Sequence, residues 1–349
     1  MTADRFDARR LTLARWAARL TKRELAERIG ISPASITQYE AGRTQPPPGT
    51  LARLALALGV PATYFHHRPD RRRPDLVTRS YFRSLRSTPQ RVRDHADAVA
   101  EQIFDLIDYL EPRVTLPKVD VPHTPPAADS IHAIEQVASA VRQTWGVPDG
   151  PVANMVRLLE AHGVIVVRVE GREEKLDAFS RWCGARPLVM LWSDKNDKAR
   201  SRFDAAHELG HLVMHTDPDP LDRIQERHAN MFASAFLMPQ TQVSGSLIRH
   251  APTRGNWEAP LRERARWGVS AKALLYRSRE LGALTDSAFR RAMISYNQHL
   301  TGRDGSELGA PEQPVLLARA VAALDLPADH VAADALVPHS LLSTLTTGA

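Results

Sequence analysis

A pattern that could bind a metal ion lies near the middle of the chain. His207, Glu208 and His211 form H-E-x-x-H within F-D-A-A-H-E-L-G-H-L-V-M-H. On a helix with 3.6 residues per turn, two histidines four positions apart lie one above the other. Two such imidazoles can bind one Zn²⁺, and a glutamate beside them can take a proton from an attacking water. The pattern predicts catalytic metal, and a helix whose histidines are only hydrogen-bonded is the alternative.

The residues around this pattern are apolar, which predicts that the helix is buried. The other helix faces carry Phe203, Ala206, Leu209, Leu212 and Val213. Polar groups in a core cost free energy unless they are paired or bound to a metal. Metal ligation would account for two histidines and a glutamate in such a place.

Catalytic zinc keeps three protein ligands and one open position, so a third ligand is required. Four residues are candidates, namely Asp217, His215, Glu226 and His228. Asp217 lies ten residues after His207, which is the spacing of the third ligand in metzincins. That geometry needs a glycine turn at position 214, where this sequence has Met214. His215 lies two turns beyond His207, which is far along the helix axis for one tetrahedral site.

Glu226 is the preferred third ligand. It lies on a predicted helix, on the face shared with Ala229 and Ala233, whose small side chains allow close approach to the first helix. Asn230, one turn later, could hydrogen-bond a further partner. His228 is rotated by roughly 160–200° from Glu226 on the same helix. The prediction is a His-His-Glu site.

Composition and charge set limits on the class of protein. No run of the 349 residues has the length and apolarity of a membrane span, and the N-terminus lacks the apolar core of a signal peptide. The single cysteine, Cys183, excludes an internal disulfide and a thiolate zinc cluster. A cytoplasmic protein without a membrane partner is expected. The first 75 residues contain 14 Lys+Arg and 7 Asp+Glu, which indicates contact with a polyanion such as nucleic acid.

The N-terminal segment also has the helix start and stop signals of a helix-turn-helix unit. Thr21 and Glu24 form a capping box that opens a short helix, and Gly30 ends that helix with a turn. Ser32 and Pro33 then begin a third helix, which in such units enters the major groove of DNA.

The stretch L-T-K-R-E-L-A-E-R-I-G-I-S-P-A-S-I-T-Q-Y-E-A-G-R-T-Q-P resembles the phage-repressor (XRE) type of helix-turn-helix domain, over about residues 9–66. The resemblance implies an operator in double-stranded DNA as partner and a buried Arg15–Glu40 ion pair. The residues that it places on base edges are Ser35, Thr37 and Gln38. Those that it places on the phosphate backbone are Lys22, Arg43 and Ser32 in the first turn of the third helix. Lys22 departs from the glutamine that the family usually has, and a domain kept only for dimerisation or protein contact is the alternative.

The rest of the chain predicts a mixture of helices and a small sheet. A long helix ending near residue 110 carries an apolar stripe, suited to a homodimer seam or to packing on the next domain. Short β-branched or alternating segments at 164–169, 176–182 and 187–192 predict three strands. Such a sheet would cover the H-E-x-x-H helix and leave its histidines facing a cleft.

The predicted fold class is mainly α with a small β-sheet (α+β), in four parts. Residues 1–70 form the helix-turn-helix domain, and 71–127 form a basic hinge, the long helix and a proline-rich linker. Residues 128–250 form a zincin-like peptidase domain. Residues 251–349 form a C-terminal helical extension, interpreted as the completion of the peptidase domain.

The pairing of R-x-R-F-x-x-A-H-E-L-G-H-L-x-x-H with E-x-x-A-N-x-F-A-x-x-F-L-M-P resembles the ImmA/IrrE metallopeptidase family, over about residues 130–250. The resemblance implies a gluzincin-like zinc fold with His207, His211 and Glu226 as ligands, and limited proteolysis of a partner repressor. Glu208 is the expected general base, and either His215 or His228 could stabilise the developing oxyanion.

The prediction is therefore a DNA-binding transcriptional regulator fused to a zinc-dependent endopeptidase. The alternative is a non-catalytic transcription factor that uses the peptidase fold as a sensor or dimerisation module.

Overall fold

The computed structural model describes residues 6–66, 81–82, 89–169, 178–192, 197–215, 222–253, 255–301, 304 and 308–346. The predicted basic hinge at 68–73 lies outside these residues. Contacts divide the chain into two compact units. The first contains Met1–Val77, Leu85–Leu116 and Val315–Ala349, and the second contains Thr78–Ser84 and Pro117–Pro314.

The described residues form mostly α-helices, with one small sheet. In chain order the helices are α1 (Ala8–Ala17), α2 (Lys22–Ile29), α3 (Pro33–Glu40), α4 (Pro48–Leu58), α5 (Gln90–Leu110), α6 (Ile131–Thr144), α7 (Met155–Ala161), α8 (Lys198–Met214), α9 (Arg223–Leu237), α10 (Gln240–Val243), α11 (Glu258–Trp267), α12 (Ala271–Glu280), α13 (Asp286–His299), α14 (Leu316–Ala322), α15 (Ala328–Ala335) and α16 (His339–Thr346). The strands are β1 (Tyr81–Phe82), β2 (Ile165–Val169), β3 (Ala178–Cys183) and β4 (Arg186–Trp192). This mixture confirms the predicted α+β class.

The helix boundaries of the first unit follow the local signals in the sequence. The Thr21 hydroxyl accepts the Glu24 backbone N–H, and the Glu24 carboxylate accepts the Thr21 N–H, which confirms the capping box at the start of α2. Gly30 ends α2 with a φ of 71°, a left-handed conformation that glycine adopts without a steric penalty. The Ser32 hydroxyl accepts the Ser35 N–H and caps α3.

The core of the first unit is formed by the helix-turn-helix segment together with helices distant in sequence. Its fully buried side chains include Leu11, Leu25, Ile36, Leu54 and Tyr64. Helix α5 packs against α1 and α15. The predicted apolar stripe of α5 therefore packs within this unit, against α1 and α15. A stripe identifies the buried face of a helix but not the element that covers it.

The sheet of the second unit has the strand order β1-β3-β4-β2. Strand β3 is antiparallel to β1 and β4, while β2 runs parallel to β4. In this register Ser180 of β3 lies opposite Tyr81 of β1 and Val189 of β4. The three strands predicted from β-branched and alternating residues are confirmed at β2, β3 and β4.

Helix α8 lies at the centre of the second unit, against α9, α7 and strands β3 and β4. Its residues Leu209, Leu212 and Val213 share one core with the sheet, with α9 and with helices α11–α13. The helices as far as His299 thus belong with α8, whereas α14–α16 belong to the first unit. The interpretation of the whole C-terminal region as a completion of the peptidase domain therefore needs correction from residue 315 onward. The four-part division as such stays a prediction.

Buried charged side chains are paired where they hold this unit together. The Glu312 carboxylate accepts hydrogen bonds from the Arg202 guanidinium and from the backbone N–H groups of Met155 and Val156 at the start of α7. Removing one partner of such a buried pair leaves an uncompensated charge, so this contact ties the chain before residue 314 to α8. No helix among the described residues is long and apolar enough to cross a membrane.

Candidate metal centre and nucleic-acid interface

Three side chains predicted to bind metal meet between α8 and α9. The Nε2 atoms of His207 and His211 are 3.0 Å apart. The Glu226 carboxylate lies 3.3 Å from His211 Nε2 through Oε1 and 3.6 Å from His207 Nε2 through Oε2. One ligand atom from each residue lies within 4.8 Å of the others. Of the three candidates within the described residues, Glu226 is the one that the structure brings to both histidines.

These distances fit a metal ion of the size and geometry of zinc. Zinc binds nitrogen and oxygen at roughly 2.0–2.2 Å in a tetrahedron, which places two ligand atoms about 3.3 Å from each other. The observed separations of 3.0, 3.3 and 3.6 Å surround that value. His207 and His211 are 0% and 1% exposed, so their nitrogens converge inside the protein rather than in water. The donor set therefore fits a bound divalent cation.

A glycine lets α9 come close enough to α8 for Glu226 to reach the histidines. A Cβ atom at Gly210 would lie 3.2 Å from the Ala229 Cα atom and 3.1 Å from the Phe232 ring. Such contacts are tight, and the Ala229 contact is with the backbone of α9 itself. Ala229, one of the small residues expected to allow close approach, is thus at the helix crossing, and Gly210 faces it from α8.

The Nδ1 atoms of His207 and His211, which face away from the ligand cluster, also have hydrogen-bond partners. His207 Nδ1 lies 3.2 Å from Asn230 Oδ1, and Asn230 Nδ2 donates to the Glu226 backbone carbonyl at 2.8 Å. Asn230 therefore holds one ligand ring and is tied to the backbone of the third ligand. His211 Nδ1 lies 3.1 Å from His215 Nδ1. Partners of this kind fix which ring nitrogen carries the hydrogen and which faces the metal.

Glu208 lies beside the ligands and is fully buried. The Ser180 hydroxyl of β3 donates to Glu208 Oε2 at 2.7 Å, and Ser180 is itself fully buried. This hydrogen bond holds the orientation of the carboxylate. Ser180 was not predicted as a site residue. The signal in the sequence is a single hydroxyl, Ser180, between Ala178 and Trp182 on one face of the strand predicted to cover the helix.

The other candidate ligands lie elsewhere or outside the described residues. His228 Nε2 lies 2.9 Å from Asp129 Oδ1, and its ring stacks on that of His215 with centroids 6.1 Å apart, so His228 is not in the group of three ligands. The His228 hydrogen bond, with that of Arg227, lowers the pKa of the Asp129 carboxyl. Burial, together with the charges of nearby histidines, lowers the pKa of His215 to about 3. Asp217 lies outside the described residues.

The most exposed ligand is Glu226, whose side chain is 23% exposed. Both histidines are buried, so their rings are not exposed to solvent, and the predicted cleft in front of them stays a prediction. Among the three ligands, the carboxylate therefore marks the side of the centre nearest to solvent.

The residues predicted to contact DNA lie on or beside α3 of the first unit. Thr37 and Gln38 are exposed, as are Ser32 and Arg43. Ser35 is half-buried, and its hydroxyl lies 2.9 Å from that of Ser32. The exposed side chains are thus available on the surface of the helix predicted to enter the major groove.

An ion pair beneath this helix confirms one prediction and explains a departure. The Arg15 guanidinium donates to both oxygens of Glu40, at 2.5 and 3.0 Å, and both side chains are almost fully buried. Lys22 Nζ lies 3.4 Å from Glu40 Oε2. The lysine found where glutamine is usual therefore joins the same carboxylate.

Comparison with known proteins gives two matches in separate parts of the chain. Residues 159–279 match the family model described as IrrE N-terminal-like domain, and residues 13–65 match a helix-turn-helix family model. The first match contains His207, Glu208, His211 and Glu226.

A curated relative matches over a limited region. A stretch of 100 residues is 34% identical to the radiation response metalloprotease IrrE of Deinococcus radiodurans. It makes up 25% of this chain and 30% of the relative, so the chain spans less than a third of the relative's length. These matches support an XRE-type helix-turn-helix segment joined in one chain to a segment similar to the ImmA/IrrE metallopeptidases.

Proposed function

We propose that the protein is a DNA-binding regulator whose second unit is a zinc-dependent metalloendopeptidase. The observation that carries this proposal is the convergence of His207 Nε2, His211 Nε2 and the Glu226 carboxylate within 3.0–3.6 Å. A buried glutamate, Glu208, lies next to them. A helix whose histidines served packing alone would not require a third donor from another helix.

The chain's own residues supply binding, orientation and proton transfer. His207, His211 and Glu226 would hold the metal, and Asn230 would orient the His207 ring. When bound, zinc polarises a carbonyl and makes water nucleophilic near neutral pH. Glu208, held at Oε2 by the Ser180 hydroxyl, would accept the proton of the attacking water and pass it to the leaving amine.

We propose a repressor-type regulatory protein as the substrate and limited proteolysis as the outcome. The support is the presence of a DNA-binding domain and a peptidase domain in one chain. A peptidase held on DNA would meet the regulatory proteins that bind the same DNA. DNA-bound action implies the cytoplasm as location. A homodimer would match a two-fold operator.

The test compares wild type with Glu208→Gln, which keeps the size of the side chain but cannot accept the proton. New protein N-termini would be profiled in cells that express each form. A repressor whose cleavage appears only with wild type would then be incubated with both purified proteins. We expect about one zinc per chain in both forms and cleavage by wild type alone.

The alternative is a transcription factor in which the peptidase fold senses a signal or mediates dimerisation. It predicts that Glu208→Gln leaves the regulatory phenotype intact. A purified protein that binds no metal, together with an unchanged phenotype in Glu208→Gln, would exclude the peptidase.

A further inference from the structure

His215 contacts the metal centre without being one of its ligands. It follows the last residue of α8 with extended backbone angles, φ −118° and ψ 117°. Its backbone N–H still donates to the His211 carbonyl at 3.0 Å, and its ring turns back along the helix. Its Nδ1 atom thereby lies 3.1 Å from Nδ1 of His211. One residue thus engages both the backbone and the ring of a candidate ligand.

The arrangement of the centre determines which nitrogen donates in this contact. Two imidazole nitrogens form a hydrogen bond only when one carries hydrogen and the other offers a lone pair. His211 Nε2 faces His207 Nε2 at 3.0 Å and Glu226 Oε1 at 3.3 Å, so its lone pair points to the centre. A neutral His211 then carries its hydrogen on Nδ1. His215 Nδ1 must accept that hydrogen bond, and the hydrogen of the His215 ring lies on Nε2.

We propose that His215 is a positioning residue of the metal centre, a neutral imidazole that accepts the His211 Nδ1–H and holds the ring in its ligating orientation. This inference rests on the metal binding in the proposed function. Asn230 Oδ1 accepts from His207 Nδ1 in the same way. The two ligand rings are therefore held by two uncharged acceptors, one from α9 and one from the end of α8.

The consequence concerns metal affinity. Partners that fix a ligating histidine typically contribute about 10- to 100-fold to metal affinity. A carboxylate in this place would add a negative charge to the centre, whereas an imidazole supplies orientation alone. His215 is buried, at 8% exposure, so water does not readily replace it as the acceptor.

The mutational test measures zinc affinity of the full-length protein by competition with a chromophoric chelator. His215→Phe keeps a ring but removes the acceptor, and we expect zinc to bind about 10- to 100-fold more weakly. His215→Asn places an amide oxygen near the position of Nδ1, and we expect it to restore affinity to within about threefold. His162→Asn is the matched control, because that ring stacks on Trp145 and its Nδ1 atom lies 3.4 Å from an Asp120 carboxylate oxygen instead of meeting a ligand, and its affinity should not change. Equal zinc affinity of His215→Phe and wild type would overturn the inference.

A spectroscopic test needs no substitution at His215. Long-range ¹H–¹⁵N spectra of the zinc-loaded, histidine-labelled protein should show His215 with hydrogen on Nε2 and His211 with hydrogen on Nδ1. Hydrogen on Nδ1 of His215 would contradict the assignment even if the variants fail to fold. His211→Ala separates the two levels of the proposal. If it retains wild-type zinc affinity, the metal site itself is wrong, whereas loss of zinc there with unchanged affinity in His215→Phe rejects only the role of His215.

Discussion

At the residue scale, Glu226 and His228 lie two positions apart on α9 and have different surroundings. The Glu226 carboxylate approaches both His207 and His211, while the His228 ring bonds Asp129. A rotation of about 200° on the helix separates them. Both are residue types that bind zinc, so position on the helix face, and not chemistry, distinguishes their roles.

Replacing each of these two residues should therefore give opposite results. We expect Glu226→Ala to reduce bound zinc from about one per chain to near zero, because only two protein ligands remain. His228→Ala should keep its zinc. Metal analysis of the purified proteins after dialysis checks both, and full zinc content in Glu226→Ala would refute the ligand assignment.

Ser180 should affect the reaction and not metal binding. Its hydroxyl donates to the expected base Glu208, and a hydrogen bond to a charged group contributes about 1.5–3 kcal/mol. We therefore expect Ser180→Ala to cleave the identified repressor about 10- to 100-fold more slowly at unchanged zinc content.

Ser278→Ala is the matched control for this change. Ser278 is an equally buried serine of α12 that donates to the Leu274 carbonyl. It should keep the wild-type turnover number in the folded fraction. Equal cleavage rates in Ser180→Ala and Ser278→Ala would remove Ser180 from the site.

At the element scale, the crossing of α8 and α9 determines whether the ligands meet. An alanine within a helix normally stabilises it by up to about 1 kcal/mol relative to glycine. At Gly210 the added methyl group would instead press on the Ala229 backbone and the Phe232 side chain, at 3.2 and 3.1 Å. The backbone contact cannot be relieved by a rotamer change, so overpacking outweighs the helical gain.

We expect Gly210→Ala to lower the free energy of unfolding by about 1–3 kcal/mol and to weaken zinc binding by moving Glu226 outward. Gly245→Ala is the control, because a Cβ atom there meets no atom within 4 Å. Denaturant unfolding and chelator competition measure the two effects. A more stable Gly210→Ala variant with wild-type zinc affinity would contradict the importance of this close crossing.

The elements that could be predicted from the sequence are those with local signals. Thr21 and Glu24 predict the start of α2, because their capping hydrogen bonds join residues close in sequence. Glu226 could be selected as a ligand because helix periodicity places it on the same face as Ala229. The Ser180–Glu208 contact could not be predicted, since it depends on how the sheet lies on a helix 28 residues away. The return of His215 toward His211 requires an extended residue at the end of α8, which no local signal specifies.

At the scale of the whole molecule, the basic excess of the first 75 residues should appear in DNA binding. We expect full-length protein to bind an operator selected from a random DNA pool, with affinity that falls steeply as salt increases. Gln38→Ala should lose about 1–3 kcal/mol of discrimination between bases. Arg43→Ala should weaken binding to all DNA sequences alike and reduce the slope of log affinity against log salt concentration by about 1.

Binding titrations at several salt concentrations separate these two outcomes. The control is Arg23, an exposed residue of α2 whose guanidinium pairs with the Glu27 carboxylate of the same helix. Arg23→Ala should leave base discrimination unchanged. Unaltered sequence preference in Gln38→Ala would remove Gln38 from base recognition.

The three candidate ligands come from only two helices, with two from α8 and one from α9. A metal ion there would act as a cross-link in the core, so folding and metal concentration become thermodynamically linked. Each tenfold increase in free zinc above the dissociation constant should stabilise the folded protein by about 1.4 kcal/mol. Thermal unfolding should therefore occur at lower temperature after chelation and return on adding zinc, while Glu226→Ala should unfold at one temperature regardless of zinc. In a cell, the abundance of the folded regulator would then report the availability of its metal.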